Sequence, residues 1–462
     1  MTQSLSNWYY LDIKFKKQKR KIFSPFTLPI YFFSITIFTG TLLLHSKFSI
    51  TSKEISWIDA LFTATSATCV TGLVVVDTGK FFSTFGQSVI LLLIQLGGIG
   101  IMTYTSVVFY LWKKRISITD RIAVGQSLLH DPSFNLGRFL IDVIKFVFII
   151  ELLGAIFLHI ADPKHFFWFS AFFHSVSAFC NAGFSLFSNS LIGFRDSIPI
   201  NFIFIFLIVS GGLGFGVLVE LWQKRFIFRK KRLTWHTKVV LETTIGLILA
   251  GTVLIFVSEF FGHKSDLNLK ELALCSLFQS VTCRTAGFNT LEISKMTNLS
   301  LLIMMVLMFI GGSPGSCAGG IKTTTFRALL SFCWSNLIGR RQCVIKHYAL
   351  DEKSLNKAIT LTIFASSLIF LSFTILLATQ GGDIPHPLSK GRFIEILFEV
   401  ISAFGTVGLS AGFTPKLSFL GKIVIISLMF IGRLGPILFL SVLHSWQTQE
   451  KFRWPENTLL IG

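Results

Sequence analysis

The chain has 462 residues, 52% of them hydrophobic and only 14% charged, with 51 Phe and a mean hydropathy of +0.68, which excludes an ordinary soluble domain. Lys and Arg number 42 against 23 Asp and Glu, a net charge of +19 that in a soluble protein would suggest nucleic acid. The basic residues instead gather at 14–21 (KFKKQKRK), 113–115, 224–232 (KRFIFRKKR) and 340–346, each near the end of an apolar stretch with no nucleic-acid-binding module beside it, so they read as cytoplasmic segments facing anionic membrane lipid.

In chain order, apolar runs near the ~20 residues that cross a bilayer occupy 26–46, 85–112, 139–160, 200–222, 239–261, 299–310, 359–378 and 423–443, so eight spans are expected. The first follows a basic N-terminus without a small-residue cleavage site and reads as a retained helix, not a signal peptide. The sixth is short, gives way to GGSPGSCAGG at 311–320 and resumes at 321–334. Broken backbone at that depth must face protein or water. The seven cysteines, Cys69, Cys180, Cys275, Cys283, Cys317, Cys333 and Cys343, form no CxxC pair and lack a zinc-like histidine spacing, so neither a disulfide framework nor a metal site is expected.

Within each pair of spans lies a stretch too short to cross, at 57–68, 166–179, 269–282 and 392–404, as expected of re-entrant half-helices. Each ends in a related string: SATCVTGL (66–73), SAFCNAGF (177–184), SVTCRTAGF (280–288) and SAFGTVGL (402–409). Their glycines, Gly72, Gly183, Gly287 and Gly408, are spaced by 111, 104 and 121 residues, a fourfold internal repeat. The second spans carry an echo: LGGIG (96–100), SGGLG (210–214), GGSPG (311–315) and GRLGP (432–436). Repeats are therefore expected at 25–115, 116–232, 233–347 and 348–462, after a cytoplasmic basic segment at 1–24. The positive-inside rule puts both termini in the cytoplasm, and the mixed charges of Asp162 and Lys164, and of His263, Lys264, Asp266, Lys270 and Glu271, outside.

A cation crossing lipid must exchange its water for oxygens at similar energetic cost, and backbone carbonyls supply them without fixed charge. Glycine permits the necessary backbone conformation, and half-helices ending at the loops would aim their partially negative C-termini at the ion. The candidate ion-binding residues are Val70, Thr71 and Gly72; Asn181, Ala182 and Gly183; Thr285, Ala286 and Gly287; and Thr406, Val407 and Gly408. Thr406-Val407-Gly408-Leu409 reads like the TVGY core of a potassium-channel filter.

TGLVVVDT (71–78), NAGFS (181–185), RTAGF (284–288), GGSPGSCAGGIKTTT (311–325) and SAFGTVGLS (402–410) resemble the Trk, Ktr and plant HKT superfamily of potassium transporters, over nearly the whole chain. The resemblance implies an all-α integral membrane fold, four helix, pore-helix, loop, helix repeats in pseudo-fourfold order around one central pore, and potassium uptake across the cytoplasmic membrane. It also implies an intramembrane gate at 311–320, with Gly311, Gly312, Gly315, Gly319 and Gly320, and contact between that loop and the intramembrane charge Arg433. A homodimer and a cytosolic nucleotide-binding regulatory subunit follow from the resemblance alone. The first span begins early, as in the shorter Ktr-type subunit and unlike Trk-type subunits, which carry an extra helical segment. Sodium-selective plant relatives have Ser at the first filter glycine, whereas Gly72 here favours potassium.

His174 and Glu399 lie nine residues before Gly183 and Gly408 and read as polar support behind the loops; Asp77 is a candidate cation attractor at the outer mouth or a solvated carboxylate. Arg433 is expected to hold the third-repeat loop through its carbonyls, the alternative being a snorkelling residue near the inner helix end. The string GSCAGGIKT (315–323) resembles a phosphate loop but has an extra Ile321 and no preceding strand. No catalytic constellation is found and no covalent cofactor is expected; potassium is substrate. The alternatives are a sodium or mixed monovalent cation transporter of the same fold, a polytopic membrane enzyme, which should carry catalytic motifs in its loops, and an alternating-access carrier, which should carry inverted repeats.

Overall fold

Backbone amides in a bilayer have no water to bond, so an apolar chain of this composition must satisfy them within helices. The computed structural model describes residues 28–51, 54–99, 136–226, 233–262, 267–380, 385 and 391–435, and these are mostly helical. The 1–24 segment, the basic stretches at 14–21 and 113–115, residues 227–232, His263, Lys264 and Asp266, the far ends of the spans expected at 85–112 and 423–443, and the boundary near 115 lie outside them.

The helices are α1 (Leu28–His45), α2 (Trp57–Thr68), α3 (Thr84–Gly98), α4 (Leu136–Ala161), α5 (Trp168–Phe179), α6 (Ile198–Leu213), α7 (Phe215–Phe226), α8 (Trp235–Gly262), α9 (Leu269–Thr282), α10 (Asn298–Phe309), α11 (Thr323–Leu337), α12 (Glu352–Thr379), α13 (Arg392–Gly405) and α14 (Phe419–Leu434). Strands β1 (Val344–Ile345) and β2 (Tyr348–Ala349) pair antiparallel between α11 and α12. Several starts are set by hydroxyl caps: Ser83, Thr297 and Ser418 accept from Gly86, Ser300 and Gly421 N–H, satisfying donors that the first turn leaves orphaned.

Residues Ile141–Ala161 of α4, and α8 and α12 entire, are each long and apolar enough to cross a membrane; residues Pro29–His45 of α1, α3 and α10 are shorter apolar helices. Apolar side chains cover both faces of these elements. Phe38, Leu92, Phe148, Leu254, Leu302 and Phe370 point outward, while Phe33, Leu93, Val147, Ile255, Met304 and Leu376 on the same six helices are buried, the two-sided pattern of helices in lipid.

The stretch at 200–222, expected as one span, is instead two helices, α6 and α7, bent by 106°. Gly214 at the break has φ +95°. The carbonyls that the end of α6 leaves free are taken by the 311–320 loop: Ser313 N–H donates to Gly212 O (3.0 Å) and Cys317 N–H to Gly211 O (3.1 Å). The start of α7 returns the contact, Phe215 N–H donating to Gly315 O at 3.0 Å. The positive φ of Gly214 and these tertiary hydrogen bonds end the helix together.

The short helices α2, α5, α9 and α13 pack against the helix before them, respectively α1, α4, α8 and α12, and against the one after, α3, α6, α10 and α14. Each of the latter also packs on the next short helix: α3 on α5, α6 on α9, α10 on α13, and α14 back on α2. Glycines of the second-span echo permit the approach within each set. A Cβ at Gly97, Gly211 or Gly432 would collide with the carbonyl oxygen of Thr68, Phe179 or Phe404, each four residues before a loop glycine.

Candidate functional site

The four glycine loops share one backbone signature. Gly72, Gly183, Gly287 and Gly408 all have positive φ, and so does the residue two before each: Val70 (55°), Asn181 (58°), Thr285 (73°) and Thr406 (51°). Thr71, Ala182, Ala286 and Val407 in between do not. Alternation of φ sign turns successive peptide planes so that their carbonyls face the same side. For β-branched Val70, Thr285 and Thr406 the left-handed region costs on the order of 1–3 kcal/mol each, a strain that only a strongly determined surrounding would maintain.

Hydroxyls from the short helices hold that conformation. Ser66 Oγ donates to Leu73 O (2.8 Å) and accepts from Gly72 N–H (3.1 Å); Ser177 Oγ donates to Phe184 O (2.7 Å); Ser402 Oγ accepts from Gly408 N–H (3.1 Å). In the third loop Thr282 Oγ1 takes this place, donating to Phe288 O at 2.6 Å, while Ser280, the match by string, donates to Ile248 O of α8. Arg284 is an additional residue in that loop, and it shifts the strut along the helix.

The four glycines meet in a closed circuit. A Cβ at Gly72 would lie 2.5 Å from Ala182 O; at Gly183, 3.0 Å from Ala286 O; at Gly287, 2.7 Å from Val407 O; and at Gly408 it would collide with Thr71 O. Each loop thus presents the carbonyl before its glycine to the preceding loop's glycine, and all twelve candidate ion-binding residues fall in these four loops. Buried hydroxyls of Thr71, Thr285 and Thr406 in these loops, and of Thr65 and Thr68 in the last turn of α2, have no hydrogen-bond partner among the described residues.

Behind the loops the structure brings together the polar groups expected there. His174 is fully buried, its Nδ1 2.7 Å from Ser170 O and its Nε2 3.1 Å from Ser185 Oγ, with Leu186 N–H donating to Nε2. Glu399 accepts from Ser410 Oγ (2.8 Å) and from Thr414 Oγ1. Ser185 and Ser410 stand at the same offset, two past the loop glycine. In the third loop the side-chain amide of Gln279, which the sequence did not single out, lies 3.2 Å from Leu291 N and 3.3 Å from Thr290 N, two donors that assign its oxygen to that side. Asp77 caps a short helical turn, Oδ1 accepting from Gly79 and Lys80 N–H at 3.0 and 3.1 Å.

The 311–320 loop lies against the fourth glycine loop. A Cβ at Gly319 would collide with Thr406 Oγ1, and one at Gly320 would lie 3.5 Å from Gly405 Cα. Gly311 N–H donates to Ile321 O and Thr323 N–H to Gly312 O, closing the loop at its root. Gly315 has φ +69° and an open flank. Arg433 is buried, and its guanidinium donates to Cys317 O in this loop and to Gly97 O at the end of α3. The first contact is the one the sequence led us to expect; the second is not legible from it. Lys322 Nζ donates to Ala318 O at 2.7 Å, a further cation on the loop. Glu151 on α4 is a buried carboxyl outside the sequence expectations, accepting from Gln95 Nε2 at 3.1 Å, with Cys180 Sγ 3.7 Å away.

The family of cation transport proteins represented by TrkH matches residues 5–451 of the chain. The chain belongs to this family. It is a family of membrane cation transporters, not of enzymes. The chain is 38% identical over 448 residues to the Ktr system potassium uptake protein B of Bacillus subtilis, covering 95% of this chain and 96% of that protein. It is 36% identical to the potassium/sodium uptake protein NtpJ of Enterococcus hirae, covering 97% and 99%. The crystal structure of the potassium transporter TrkH from Vibrio parahaemolyticus superposes with a TM-score of 0.75 over 94% of this chain and 88% of that one; at 19% identity this likeness establishes the fold.

Proposed function

We propose that the chain takes up potassium ions through one central pore formed by four pseudo-fourfold repeats, eight spans in all. The single observation that carries this is the circuit of Gly72, Gly183, Gly287 and Gly408, each flanked by a left-handed residue two positions earlier. Val70 to Gly72, Asn181 to Gly183, Thr285 to Gly287 and Thr406 to Gly408 form the filter, their carbonyls replacing the ion's water. The short helices end at the loops, so the partial negative charge of their C-termini falls there. The hydroxyls of Thr71, Thr285 and Thr406 in the loops, unpartnered among the described residues, support an ion or water path.

The 311–320 loop, with Gly311, Gly312, Gly315, Gly319 and Gly320, is the gate, and Arg433 is its latch. The support is contact: the loop abuts Thr406 and Gly405, and Arg433 grips Cys317 O. The segments 25–115, 116–232, 233–347 and 348–462 are the repeats, with 1–24 and both termini on the cytoplasmic side of the cell membrane. The names of the relatives, potassium uptake proteins of Ktr systems, favour potassium and a system of more than one subunit. A homodimer of this chain with a cytosolic nucleotide-binding regulatory subunit fits that reading.

One observation favours a second reading. The Enterococcus hirae relative is named for potassium and sodium together, so a mixed monovalent cation pathway on the same fold is the alternative. Purified protein in liposomes loaded to give an inward driving force separates them. Potassium uptake exceeding sodium uptake supports the first reading, equal uptake the second, and no cation flux contradicts both.

A further inference from the structure

Arg284 is the residue by which the third glycine loop exceeds the others: CRTAG at 283–287 stands where the second loop has CNAG at 180–183. An added arginine in the middle of a membrane protein is expensive unless its donors are used. Its side chain is 6% exposed, and its one hydrogen bond among the described residues runs from Nη2 to Gly311 O at 3.4 Å. Gly311 is the first residue of the 311–320 loop, so one side chain spans from a filter loop to the root of the proposed gate.

The other terminal nitrogen, Nη1, has no partner among the described residues, and neither has Thr244 Oγ1 on α8. Both residues line one small, partly open cavity of about 10 Å³, together with Ile208, Val209 and Gly212 from α6 and Val281 from α9. That is the space of about one water molecule, and a buried water needs at least two polar partners. Nη1 is a donor and the threonine hydroxyl can both donate and accept, so one water satisfies two otherwise orphaned groups.

We infer that Arg284 is a positioning residue that ties the third filter loop to the root of the 311–320 loop, directly through Gly311 O and, through a single water in this cavity, to Thr244 on α8. The inference rests on the pore reading above. It makes filter and gate one mechanical unit on the third-repeat side. Displacing the 311–320 loop would pull on the backbone three residues before Gly287, and the guanidinium, unlike Arg433, acts from the filter's own loop.

The test uses the full-length protein in liposomes, with uptake of rubidium and sodium measured side by side. Arg284→Met keeps the apolar stem and removes every donor; Arg284→Lys keeps a charge and a donor for Gly311 but cannot also reach the water. The rubidium to sodium uptake ratio is expected to fall about tenfold in Arg284→Met, the effect of losing one charge-assisted hydrogen bond, and to recover in part in Arg284→Lys. Damage to folding alone would lower both fluxes together and leave the ratio unchanged, and an unchanged ratio in folded Arg284→Met overturns the tether. Should Arg284→Met not fold, Thr244→Val decides: a smaller fall in the ratio supports the inference and an unchanged one overturns it. A density map fine enough to show waters must place one within hydrogen-bonding reach of Nη1 and Thr244 Oγ1, and a dry cavity overturns the bridge. Absence of cation flux in the unaltered protein would instead remove the pore reading itself.

Discussion

The ammonium of Lys422 stands 2.5 Å from Oδ1 of Asp59, although 363 positions separate them in the chain. Lys422 lies on α14 and Asp59 in the first turn of α2, so the pair joins the last set of helices to the first. Its side chains are only 15% and 21% exposed. Asp59 is held from its other side by Ser56 Oγ at 2.7 Å, which fixes the carboxylate for the ammonium.

Breaking this pair should loosen the closure. Asp59→Asn and Lys422→Met are each expected to lower the melting temperature in detergent. A double-mutant cycle should return a coupling of about 1 kcal/mol, at the upper end for pairs with some solvent access. Strictly additive effects would mean that the two groups do not interact.

Gly408→Ala places a methyl into Thr71 O and 2.9 Å from Gly72 Cα, and it also forces an alanine to φ +88°. Potassium over sodium discrimination should fall at least tenfold in liposome uptake while the protein stays folded, because the change moves ligand oxygens by tenths of an ångström. By contrast Gly193→Ala, in the short 3-10 turn Ile192–Phe194 with nothing near its would-be Cβ, should leave uptake as it is.

Arg433→Ala removes donors to Cys317 O and Gly97 O at once. The 311–320 loop then loses its restraint from α14, and basal uptake should rise severalfold. Arg433→Lys, with a point charge in place of a fork, should hold one carbonyl and give an intermediate rate. Rates equal to the unaltered protein in both variants would show that the contact restrains nothing.

Glu399→Ala removes the carboxylate that accepts from the half-buried Ser410 hydroxyl and the buried Thr414 hydroxyl, leaving Thr414 only Ser410 Oγ at 3.0 Å, at a cost of about 1–3 kcal/mol. The segment after Gly408 should lose its support, with a lower apparent potassium affinity and a lower melting temperature. Glu399→Gln keeps an acceptor oxygen and should be milder. His174→Ala should resemble Glu399→Ala, because it frees Ser185 at the corresponding position.

Much of this arrangement is written in local sequence. The half-helices at 57–68 and 269–282 coincide with α2 and α9, since an apolar stretch of that length between a hydroxyl or amide start and a glycine loop has few other options. Positive φ at the loop glycines follows from glycine itself, whereas positive φ at Val70, Thr285 and Thr406 runs against their branched side chains and is imposed by neighbouring loops. The break at Gly214 lies inside an otherwise continuous apolar run, and of its two supports only the glycine is local; the hydrogen bond from Phe215 to Gly315, a hundred residues on, is not legible in the sequence. Lys422 with Asp59, and Arg433 with Gly97, are hidden for the same reason. The serine struts were visible as the repeated first letter of the loop strings, but only geometry shows that Thr282 replaces Ser280 in the third.

Anomalous diffraction from crystals grown in rubidium in place of potassium is the most direct measurement. Peaks are expected on the axis enclosed by the carbonyls of Thr71, Ala182, Ala286 and Val407, and they should weaken in Gly408→Ala. Rubidium bound only elsewhere, or no peak between these four loops in protein that transports it, would contradict a filter made by the glycine circuit.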